Sequence, residues 1–148
     1  MLINALGVVK LCDLGNARPL DFNKLGQERL PVSQRILNLS FVSAEFHKDG
    51  IIGPFNDIES LGKTIYHALI CTHRDVNDVM IRALDESSQT FYNFMKLNPI
   101  PEDFSKELRI VVESMVDPDW TKRPTAEDLA SICWLTEEDI QYLSLIHI

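Results

Sequence analysis

Asp13 is the first carboxylate along the sequence. It follows the apolar run VVKLC, in which Val8, Val9 and Leu11 suit a pleated, half-buried strand. It precedes Leu14 and Gly15, where glycine admits backbone angles that strain any residue with a Cβ. A carboxylate at such a strand end can coordinate a cation or accept hydrogen bonds from the turn, and the strand does not say which. Ser33 and Ser40 follow on a long polar stretch. A phosphate on either would add roughly two negative charges and could order the segment against Arg18 or Arg35, although each serine alone reads more simply as a loop residue. His47, His67, His73 and His147 are scattered, and no Cys/His group has metal-ligand spacing.

The elements that must position these groups are mostly helices. Residues 1–12 read as two short strands around Asn4–Gly7, and residues 16–40 as a long loop, a feature that in compact domains usually has a function. Helical periodicity starts after Pro54. Ile58, Leu61, Ile65, Ala68 and Leu69 share one face of a helix expected to begin near Asn56 or Asp57, either of which could cap it. Val76, Val79, Met80, Ala83 and Leu84 mark a second helix. Leu108, Val111, Val112, Met115 and Val116 mark a third, capped by Ser105, with Pro99 and Pro101 between the two. Thr125 to Asp128 and Thr136 to Asp139 each have capping-box spacing. Trp120 and Trp134 read as packing residues. The expected class is mainly α with a short N-terminal β-hairpin.

Composition narrows the partners. A chain of 148 residues, 45% apolar and 24% charged, can bury a core of its own. Its net charge of −8 and pI near 4.9 speak against a nucleic-acid surface and give anionic membranes little to attract. Cys12, Cys71 and Cys133 lie far apart, which fits a reduced, intracellular, cytoplasmic setting. The opening MLINALGVV has no basic leader and no small-residue cleavage site, and no apolar run approaches the ~18 residues of a membrane span.

Four motifs, taken in order, resemble the C-terminal lobe of the protein kinase superfamily. LINALGVVKLCDLG resembles the strand pair leading into the family's Asp-Phe-Gly metal-binding turn, with Leu14 in place of Phe. FVSAE, 41–45, is similar to the Ala-Pro-Glu element that closes the activation segment, with Ala44 in place of Pro. NDIESLG, 56–62, resembles the start of the family's central buried helix, with Asp57 following Glu45 at the family's spacing. DPDWTKRPTAEDL, 117–129, resembles the late segment whose arginine pairs with the Ala-Pro-Glu glutamate. The resemblance covers residues 1–135 as a partial kinase domain. Residues 136–148 would form a helix or tail, whose last residues, SLIHI, fit no kinase element and read as a helix end or as foreign sequence.

The resemblance implies a set of roles. Asp13 would hold Mg²⁺ against the phosphates of ATP, with Leu2 and Cys12 on the nucleotide side. Glu45 and Arg123 would form a buried bidentate pair, Asp57 would accept backbone donors of the catalytic loop, and Gly15 would serve the turn. Met1 and Leu2 would occupy the last two places after the metal-binding Asn of the catalytic loop. The Gly-rich loop, the strand lysine with its glutamate, the catalytic aspartate and that Asn are therefore expected outside this sequence. A fragment of this kind would not transfer phosphate alone; its intact parent would move the γ-phosphate of ATP to protein Ser/Thr or Tyr hydroxyls, with Asn38 leaving the substrate class open. The alternative is a kinase-like module without chemistry that docks protein partners.

Overall fold

The computed structural model describes residues 2–3, 8–12, 14–31, 41–71 and 88–132. Within them the chain is mainly α-helical, with five α-helices. Two short strands, β1 (Leu2–Ile3) and β2 (Val9–Lys10), pair antiparallel with Leu2 opposite Lys10 and Ile3 opposite Val9. Residues 4–7, where the expected hairpin turn falls, lie outside the described residues, as do the Val76–Leu84 and Thr136–Asp139 segments and Trp134. The expectation of a half-buried strand is not met: Val9 is 52% and Leu11 80% exposed. Neither belongs to the clusters that form the core, so the apolar run is a surface.

Helix α1 (Ala44–Asp49) was not expected from the sequence pattern, because it is too short to show a period. Its signals lie at its ends. The Ser43 side chain accepts from the Phe46 amide, and Gly50 at φ 69° terminates the helix in the left-handed region that glycine enters without strain. Beyond it, the Leu30 amide donates to the Gly50 carbonyl and the Ile52 amide to the Glu28 carbonyl, so residues 28–30 run beside 50–52.

Helix α2 (Pro54–Cys71) is the central element. It starts earlier than expected, which corrects the assignment of Asn56 or Asp57 as its cap: both lie inside the first turn. Pro54 opens the helix, where its missing N–H costs nothing. Asn56 instead reaches back, its Oδ1 accepting from the Gly53 amide at 2.8 Å. The buried face also differs from the apolar stripe. Leu61 is 40% exposed and Ala68 lies at the surface, whereas Glu59 and Lys63 are fully buried beside Ile58 and Tyr66.

Helices α3 (Ser88–Leu97) and α4 (Lys106–Met115) pack around α2. Ser105 caps α4, accepting from the Leu108 amide at 3.2 Å, and Val111, Val112 and Met115 form its buried face, in agreement with the sequence. Gly62 lets α2 and α4 approach closely: a Cβ there would sit 2.8 Å from Met115 Cβ and Val116 Cγ1. From α3, Phe91 and Met95 complete the core. The Tyr66 ring meets Phe91 edge-on, and its hydroxyl donates to the Asn98 carbonyl at 2.7 Å. Helix α5 (Ala126–Ser131) has the expected capping box, with Thr125 and Asp128 bonding each other's backbone amides.

Candidate functional site

The functional geometry gathers around Arg123, and the residues before it show how it is delivered. Asp119 caps a single 3-10 turn, Trp120–Lys122, accepting from the Thr121 amide at 3.1 Å. Trp120 stacks on Phe55 with ring centroids 4.3 Å apart, against the backbone of Gly26, where a Cβ would come within 2.8 Å of the indole. This clamp aims the Arg123 side chain inward, where it is fully buried.

Every face of the guanidinium is used. Nε donates to the Asp117 carbonyl at 2.8 Å, Nη1 to Glu45 Oε1 at 2.6 Å and to the Phe55 carbonyl at 3.1 Å, and Nη2 to Glu45 Oε2 at 3.2 Å. The fork therefore grips Glu45 through both oxygens, a geometry lysine cannot reproduce. Glu45 also accepts from Asn56 Nδ2 at 3.0 Å, and the same amide nitrogen donates to Ser43 Oγ at 2.7 Å.

The sequence did not reveal the other half of this network. Arg123 Nη2 lies 2.6 Å from Glu59 Oε2, a charge contact and not an aligned hydrogen bond. Glu59 Oε1 pairs with Lys63 Nζ at 2.9 Å, one turn along α2. Two carboxylates thus balance two cations in the interior, so neither buried sign is left uncompensated. A Glu and a Lys four residues apart on a helix ordinarily read as a solvent-facing pair. The available clue was their place beside Ile58, Gly62 and Tyr66, which makes a solvent face crowded with apolar residues.

A cleft of about 220 Å³ adjoins the network, walled by Arg18, Leu30, Val42, Asn56, Asp57 and Ser60 among others. Asp57 stands in the first turn of α2, its carboxyl pushed above the ordinary carboxylate range because burial strips part of its hydration, although the side chain still reaches solvent.

The N-terminal residues are placed less completely. Asp13, Ser33 and Ser40 lie outside the described residues. Leu2 pairs with Lys10 through its backbone in β1, and Cys12 is exposed. Gly15 lies in a 3-10 turn, Leu14–Asn16, and the positive φ angles among the described glycines belong to Gly26 and Gly50. The turn at Gly15 is thus right-handed and does not use the backbone freedom that glycine offers. No group of three or more His, Cys, Asp or Glu able to hold a metal forms among the described residues, and no helix there is long and apolar enough to cross a membrane. No family model, no curated protein and no solved structure matches this chain.

Proposed function

We propose that this chain is the helical lobe of a protein kinase domain, whose complete form transfers the γ-phosphate of ATP to hydroxyls of a protein substrate. The observation that carries the reading is the buried Glu45–Arg123 fork, which links the end of the long N-terminal segment to a residue 78 positions later. Asp57, underhydrated at the edge of the adjoining cleft, supports it: that carboxylate suits backbone donors supplied by a catalytic loop. Asp13 would hold Mg²⁺ against the nucleotide, with Leu2 and Cys12 beside it, and Ser33 and Ser40 would be candidate sites for regulatory phosphate. The exposed Cys12 thiol fits a reducing, cytoplasmic setting.

In this reading the protein's contribution to phosphate transfer is positioning and charge neutralisation, so groups missing from the 148 residues must come from a longer chain. The in-frame sequence upstream of Met1 is the direct test. A continuation carrying His-Arg-Asp and the metal-binding Asn supports the kinase, and a stop codon immediately before Met1 favours the docking module without chemistry. The extended protein should then show a Mg²⁺–ATP-dependent thermal shift that Asp13→Asn removes, while the 148 residues alone show none. A clear shift from the short chain would sink this assignment of parts.

A further inference from the structure

One face of α2 holds three consecutive residues of the segment that leads into α1. Ser60 Oγ donates to the Phe41 carbonyl at 2.8 Å, Lys63 Nζ to the Val42 carbonyl at 2.8 Å, and Asn56 Nδ2 to Ser43 Oγ at 2.7 Å. Asn56, Ser60 and Lys63 lie on one side of the helix, where residues three and four apart are neighbours. Val42, the middle residue, also walls the cleft.

We propose that Lys63 is a positioning residue, which fixes the Phe41–Ser43 segment, and with it the Val42 wall of the cleft, by bonding the Val42 carbonyl while Glu59 ties its charge to Arg123. The inference stands on this geometry and not on the phosphate-transfer reading. If that reading holds, the same contact shapes the cleft beside Asp57.

The chemistry explains why a lysine occupies a fully buried position. An apolar side chain of similar length would fill the space between α2 and Phe91, whose ring centroid lies 5.4 Å from Nζ, but could not donate to the carbonyl. An ammonium can reach the carbonyl only if a buried counter-charge accompanies it, and Glu59 is that charge. Glu59 in turn contacts Arg123, so the cleft wall and the Glu45–Arg123 bridge share one chain of charges. Ser60 and Asn56 hold the flanking residues without net charge, Asn56 reaching Glu45 as well; of the three, Lys63 is the one that brings a charge to the segment.

The test separates a positioning role from a merely structural one. Lys63→Met alone would strand Glu59 against Arg123, so the informative variant is the double substitution Glu59→Gln with Lys63→Met, which retains volume and leaves the Glu45–Arg123 pair. Native-state amide exchange should then accelerate at residues 41–44 by roughly tenfold or more, the loss expected of one charge-assisted hydrogen bond. Amides of Val111–Met115 should keep their protection to within a factor of about two. Equal acceleration in both places, or none at 41–44, would overturn the proposal. Should the double variant fail to fold, the unsubstituted protein decides. Its Lys63 ammonium protons should be observable by ¹⁵N NMR, slow to exchange with water and shifted upfield by the Phe91 ring. Rapidly exchanging, unshifted ammonium protons would also overturn it.

Discussion

Arg123, fully buried, and Asp57, exposed yet partly desolvated, show how one environment can hold a charge and another penalise it. Arg123 is desolvated but fully bonded, so its removal should leave Glu45 and Glu59 buried without it. Arg123→Ala is expected to cost roughly 3–5 kcal/mol, read as a large fall in melting temperature. Lys122→Ala, at an exposed neighbour paired only with Asp119 at the surface, should change it little. Equal effects would remove the bridge from any account of this fold. Asp57 is the opposite case. Its carboxyl is raised by desolvation, so the folded state binds its proton more readily than the unfolded chain does. Its contribution to stability therefore falls as the pH rises from the unfolded value through the raised folded value, and is recovered in acid. Asp57→Asn should raise the melting temperature at pH 7, with the gain over the parent shrinking as the pH falls toward ~4. A gain that persists unchanged into acid would rule out desolvation as its cause. At this scale Glu45 and Arg123 were legible as a pair only through the resemblance, since each alone reads as a surface charge. Glu59 and Lys63 were not legible, because hydropathy assigns both to solvent and the burial depends on an arginine that lies far along the chain.

Among the elements, legibility followed the length of the period and the quality of the caps. Helix α4 announces itself by both, with the stripe from Leu108 to Val116 and Ser105 before it. Helix α5 is short but carries a complete capping box. Helix α1 is too short for a period although Ser43 and Gly50 cap it, and α3, which supplies the core anchors Phe91 and Met95, was not expected from the sequence. The central helix was found but misphased, because its buried face includes a glycine and an ion pair. Gly62 gives the sharpest test of that face. Its missing Cβ is what allows α2 to lie against Met115 and Val116, and both 2.8 Å contacts are to atoms at or close to the partner backbone. Gly62→Ala should therefore destabilise by about 1–3 kcal/mol despite alanine's better helix propensity, because the helices must separate. A gain of stability in urea unfolding would mean that α2 and α4 do not meet there.

On the scale of the whole molecule, the helices provide one hydrophobic core and the ionic bridge fastens segments far apart in sequence to it. The strand pair lies outside that core, with Val8, Val9, Leu11 and Leu14 exposed. Arg123→Ala removes the arginine while leaving the large aromatic and aliphatic cluster and both tryptophans in the chain. It should keep the far-ultraviolet helical signal and lose near-ultraviolet fine structure, as a compact but loosely packed state does. Full retention of the near-ultraviolet signal would show that the bridge is dispensable for packing. The 78-residue interval between Glu45 and Arg123 also has a consequence in time. Translation proceeds at about 5–20 residues per second, so for several seconds on the ribosome α2 can pair Glu59 with Lys63 while Glu45 has no guanidinium to receive it. The nascent chain must keep that carboxylate in water until Arg123 has left the exit tunnel. A segment synthesised late is thus what lets Glu45 leave water.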